Sequence, residues 1–203
     1  MRLLLFIFFI GSMSAASAWC QADASRHLFD EKCSHTNGRK DGDYSLRYKG
    51  QLIEKGTYYS GIKKGKWQYF SFNGILEFEY DYEGQQITKI GGQTLEGKYF
   101  NQTPCFYHGS PLIPYLFMVN NVYYPSGAIE NDLTGRVTLT LKINKNGEVY
   151  GYYLSEKLHW ILDRAVMDAA AKIPTDWMFI PATRNGFPLM SEYSIPIEFE
   201  LSH

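Results

Sequence analysis

R-V-T-L-T-L-K-I at residues 136–143 is the stretch that decides the fold. Val137, Leu139, Leu141 and Ile143 alternate with Arg136, Thr138, Thr140 and Lys142. That period of two is a strand with one buried face. N-K-N-G at 144–147 is a turn signal, and a second strand is expected over 148–155. The period then changes. Leu158, Leu162, Ala165, Ala169 and Ile173 recur every three or four residues, an amphipathic helix that Pro174 stops. Alternation returns in Tyr193, Ile195, Ile197, Phe199 and Leu201. One helix laid on one face of a three-stranded antiparallel sheet buries all these stripes together. Trp177 and Phe179 are expected in that core.

The segment resembles the C-terminal domain of TonB-type energy transducers over roughly residues 115–203. The resemblance rests on Tyr124-Pro125, Gly135-Arg136-Val137, the N-G-E-V hairpin with Gly147, and Leu162-Asp163. It continues through W-M-F-I-P-A at 177–182, which holds Trp177, Phe179 and Pro181, then Gly186-Phe187-Pro188 and Y-S-I-P-I-E-F at 193–199. It implies an envelope domain whose last strand receives a short segment of an outer-membrane receptor. Residues 193–201 occupy that place here.

The physics of the sheet agrees with such a role. A three-stranded sheet leaves unpaired N–H and C=O groups along its edges, and an extended peptide can add to them as a further strand. The expected contact is Tyr193, Ser194, Pro196, Glu198 and Glu200, with Ser194, Glu198 and Glu200 beside the incoming chain. Pro196 has no N–H, so it removes one ladder donor and guards the edge against unwanted pairing. The expected partner is an envelope or outer-membrane protein, and the same edge suits a homodimer. Two features depart from the family. The chain shows no stretch of ~20 apolar residues able to span a bilayer, and no long Pro-rich spacer. Energy coupling to outer-membrane transport is therefore the alternative, and it requires an uncleaved N-terminal anchor.

Outward from this domain, residues 41–101 are rich in Tyr, Phe, Gly, Lys and Glu. Gly38, Gly61 and Gly84 stand 23 residues apart, the mark of a short repeat. G-K-W-Q-Y-F at 65–70 resembles the core of MORN-type repeats. Each unit is expected to be a β-hairpin whose aromatic residues stack as the core of a thin sheet. The other reading of Tyr59, Trp67, Tyr69 and Phe70 is an exposed aromatic face. Lys63, Lys64 and Lys66 read as a solvated turn. Residues 102–122, punctuated by prolines, read as a linker. The whole is thus α+β: an all-β hairpin array, then the domain at 123–203.

Met1-Arg2, the apolar run at 3–10 and Ala16-Ser17-Ala18 read as a secretory signal peptide over 1–18, with a polar arm at 19–40. The alternatives are lipidation at Cys20 or retention of the segment as an anchor. An exported chain favours a disulfide between Cys33 and Cys105. A formal net charge of -1 argues against nucleic acid. The five histidines are scattered, with neither an H-E-x-x-H helix nor a G-x-S-x-G elbow. No catalytic residue, metal, cofactor or small-molecule substrate is expected, and Asp163 reads as a helix-start residue rather than a base.

Overall fold

The structure, a computed structural model, describes residues 28–95 and 102–201. The expectations for the signal peptide and Cys20 lie outside the described residues. The chain divides into two compact units. One carries residues 28–95, 102–103 and 109–112, and the other carries residues 104–108 and 113–201.

The first unit is an antiparallel sheet whose seven strands stand in chain order. They are β1 (Phe29–Thr36), β2 (Arg39–Tyr48), β3 (Gln51–Tyr59), β4 (Ile62–Phe70), β5 (Leu76–Asp81), β6 (Gln86–Ile90) and β7 (Gln93–Thr94). Turn chemistry explains the order. Asn37-Gly38, Lys49-Gly50 and Ser60-Gly61 each form a two-residue loop with positive φ at both positions. That is the hairpin turn whose twist matches its strands, and glycine makes its second position inexpensive.

The core is aromatic. Tyr44, Tyr58, Tyr69 and Tyr82 surround Trp67 with ring centroids 5.0–6.4 Å away. The Trp67 Nε1–H donates to the Thr57 carbonyl at 3.2 Å. Gly56 lets the indole lie on β3, since a Cβ there would stand 2.3 Å from the ring. Trp67 and Tyr69 are buried, whereas Tyr59 is 65 % exposed. Two buried carboxylates are paired. The Glu54 carboxylate accepts the Ser110 N–H at 2.7 Å. Glu79 accepts from Gln68, Thr88 and Lys89 at 2.7, 2.9 and 3.0 Å. Burial pushes the Glu79 carboxyl up, but these donors outweigh it and hold the group below its ordinary value.

The second unit contains the expected domain. β9 (Gly135–Ile143) is the middle strand, with β10 (Val149–Glu156) on one side and β14 (Ser191–Phe199) on the other. Val137, Leu139, Leu141 and Ile143 are buried, as are Ile195, Ile197 and Phe199. Helix α3 (Trp160–Ala170) packs on β9 and β10 and buries Leu162, Ala165, Val166 and Ala169. It starts later than its apolar spacing implies. His159 is extended, and its Nδ1 accepts the Ile161 N–H at 3.4 Å, so Leu158 lies before the helix.

The stretch read as a linker is ordered in part. It holds β8 (Phe106–Tyr107) and α1 (Leu112–Asn121). Ile113, Leu116 and Phe117 are buried at helical spacing. Pro114 sits in the first turn, where its missing N–H costs no intrahelical bond, so it punctuates without breaking. A short α2 (Ser126–Ile129) follows Pro125. β11 (Phe179–Ile180) pairs with β8, and β12 (Thr183–Arg184) pairs with β13 (Phe187–Pro188).

The disulfide expected between Cys33 and Cys105 is not formed, and both thiols are free. Each is engaged within its own unit. The Cys33 Sγ–H donates to the Ser34 carbonyl at 3.2 Å. Burial pushes the Cys105 thiol up to about 12, partly offset by a backbone hydrogen bond from Ala182. The solvated reading of Lys63 is also corrected. Its ammonium lies 4.1 Å from the Trp67 ring centroid, 3.8 Å from Glu54 and 3.2 Å from the Tyr69 hydroxyl. Burial lowers its pKa, while Glu54 opposes that shift.

Candidate functional site

The two edges of the three-stranded sheet differ. On β10 the pairing with β9 slips twice, between Val149 and Gly151 and between Leu154 and Glu156. Such irregularities twist an edge and blunt it against addition of another strand. β14 pairs with β9 without a slip from Ser191↔Ile143 to Phe199↔Gly135. Nine residues in one register leave a straight row of backbone groups along the other side of β14.

Pro196 fixes which groups those are. It stands opposite Thr138 within the unbroken ladder. A proline has no N–H to give, so an edge strand accepts it where the nitrogen faces away from the neighbour. Backbone direction alternates with side-chain face along a strand. Glu192, Ser194 and Glu198 therefore turn their N–H groups outward with Pro196, and Tyr193, Ile195 and Ile197 bond to β9. Among the described residues no strand pairs with that side of β14, and it offers three donors and a gap.

The same residues carry the polar face of the sheet. Thr140, buried at the centre, bonds the Ser155 hydroxyl at 2.7 Å and the Ser194 hydroxyl at 3.0 Å. The Tyr153 hydroxyl donates to Glu192 at 3.0 Å, and Arg136 pairs with Glu198. These bonds tie β14 sideways to β9 and β10 across the face. On the other face, Phe199 meets the Tyr124 ring at 5.2 Å and Tyr193 meets Phe179 at 5.0 Å. Of the expected contact residues, Ser194, Pro196 and Glu198 lie along the edge. Tyr193 turns to the core side, and Glu200 is exposed just beyond the strand.

The residues shared with the family motif hold the scaffold instead. The Tyr124 hydroxyl donates to the Leu133 carbonyl, and Pro125 precedes α2. Gly135 opens β9 with φ +135. Gly147 makes the β9–β10 turn, where a Cβ would stand 2.1 Å from the Phe179 carbonyl oxygen. The Phe179 N–H donates back to Gly147 at 2.8 Å. Leu162 is buried, and Asp163 accepts the Leu158 N–H at 3.0 Å at the start of α3. Trp177 and Phe179 are buried with Tyr107 between them. Pro181 follows β11, Gly186 turns β12 into β13, and Pro188 ends β13.

Sequence reasoning missed α1, whose prolines masked its apolar spacing. It also missed a polar groove on the seven-stranded sheet, whose lining comes from four separate strands. Residues 120–201 match the family model described as Gram-negative bacterial TonB protein C-terminal. No curated protein and no solved structure matches the chain.

Proposed function

We propose that the C-terminal unit is a non-enzymatic docking module of the Gram-negative envelope. Starting from the match of residues 120–201 to the TonB C-terminal family, its task is to take an extended segment of another envelope protein beside β14. The observation that carries this reading is the nine-residue, slip-free pairing of β14 with β9, beside an otherwise slipped β10 edge. Main-chain bonds to the outward groups of Glu192, Ser194 and Glu198 supply affinity, and the gap at Pro196 sets the register. The hairpin array is read as MORN-like repeats, supported by the glycine spacing and by three turns of one type.

The test is Ser194→Pro in the full chain. It removes an outward donor and leaves the β9 ladder intact. A partner is captured from outer-membrane extract, and the crosslinked peptide is mapped. The variant should keep its fold and lose most of that crosslink to β14. A folded variant that captures the partner at full affinity would falsify strand addition. A second reading, a TonB-type energy-transduction component with a retained N-terminal anchor, draws on the same family match. N-terminal sequencing of the exported chain separates the two: a start at Trp19 supports the docking module, and an intact Met1 supports the transducer.

A further inference from the structure

The solvent face of the seven-stranded sheet carries a groove of about 560 Å³, lined by Lys32, Asp43, Ser45, Lys55, Thr57, Lys66 and Gln68. The strand registers build it. Lys32 pairs with Ser45, Ser45 with Lys55, and Lys55 with Gln68, so these four form one row across β1 to β4. Asp43 and Thr57 form the next row. Between them Tyr44 and Gly56 are paired and face the aromatic core, so the floor there is backbone.

We propose that this groove binds a phosphorylated sugar or polyol. Lys32, Lys55 and Lys66 line it from β1, β3 and β4. Among the described residues, no ion pair engages Lys55 or Lys66. Lys55 lies 5.8 Å from the Phe70 ring centroid. Lys32 has only an exposed pairing with Asp30 at 3.8 Å. Asp81, opposite Lys66, accepts the Glu83 and Gly84 N–H groups at 2.9 and 3.3 Å. Exposed ammonium groups bind phosphate oxygens as point charges.

The rest of the lining asks for hydroxyl groups. Ser45 and Thr57 donate and accept, and the Gln68 amide donates to Glu79 and keeps its carbonyl as an acceptor. Asp43 accepts the Thr57 hydroxyl at 3.3 Å and retains capacity for further donors. A carboxylate in the lining disfavours a wholly anionic ligand such as polyphosphate or an acidic peptide. The inference is independent of the docking edge, since every residue belongs to the other unit. A soluble sugar phosphate and the headgroup of a phosphoinositol lipid share this chemistry.

The experiment titrates the full chain with glucose 6-phosphate, glucose and inorganic phosphate by calorimetry. A second arm measures sedimentation with phosphatidylcholine vesicles, with and without phosphatidylinositol. Lys55→Gln and Lys66→Gln should each weaken binding on the order of tenfold, the loss of one charge-assisted bond. Lys145→Gln, on the β9–β10 turn, should change nothing. Unchanged amide spectra establish that the variants fold. Saturable binding of glucose 6-phosphate, lost in the double variant, supports the proposal with a soluble ligand. Binding confined to the phosphatidylinositol vesicles, and lost likewise, supports it with a lipid source. Glucose or inorganic phosphate bound as tightly as the ester, binding unchanged in the double variant, or no binding in either arm overturns it.

Discussion

The two sheets of this chain solve the same packing problem by different routes. The seven-stranded sheet pairs only sequence neighbours, and its core is a stack of rings around Trp67. The three-stranded sheet pairs residues 135–143 with residues 191–199 and fills its core with aliphatic side chains and a helix. The first needs only good turns and flat rings, which suit a thin layer. The second must close a long loop before its central pairing is rewarded. That cost leaves a short sheet with two edges. Pairing along one edge strand slips twice, and along the other it runs in one register.

The comparison breaks most visibly at the largest side chains. Trp67→Ala should cost the seven-stranded sheet roughly 3–5 kcal/mol, and Phe199→Ala should cost the three-stranded sheet a similar amount. Amide exchange read strand by strand should show each variant losing protection only in its own sheet. Loss in both sheets from either variant would mean that the two units do not unfold independently.

Gly56→Ala is the next step down. Its new Cβ meets a buried indole that has no room to retreat, so overpacking should cost about 1–3 kcal/mol. The measurement is the urea midpoint of β1–β7 protection. The β9–β14 midpoint should not move.

Acid sharpens the contrast further. The Glu79 carboxyl is held below its unfolded value of about 4.3. Its contribution is therefore complete above that value and is lost as pH falls through the lower folded pKa. The seven-stranded sheet should weaken progressively below about pH 4–5. Glu79→Gln should lower its melting temperature at pH 7 and flatten that acid dependence. An equally steep acid profile in the variant would remove Glu79 as its source.

The smallest expected effect is none. Because Cys33 and Cys105 are free, a reducing agent should shift the melting of neither sheet. A clear fall on reduction would restore the disulfide.

The amino-acid sequence by itself determined the elements whose reasons are local. Alternation in R-V-T-L-T-L-K-I marked one buried face, and the spacing of Leu162, Ala165 and Ala169 marked the face of α3. The 23-residue spacing of Gly38 and Gly61 marked hairpins, although residues 19–40, read as a polar arm, supply β1 at Phe29–Thr36. Only the tertiary structure decided what those faces meet. Period two says which side of a strand is buried, but it is silent on which strand lies beside it. β9 became the centre, and β14 an open edge, through pairings across about fifty residues of chain. Lys63 and Lys66 show the same limit at the scale of a side chain. Three positions apart in a run of lysines, one lies over the Trp67 ring and the other lines a polar groove. Charge patterning cannot separate them, because burial depends on which neighbouring strands supply an acid or a ring.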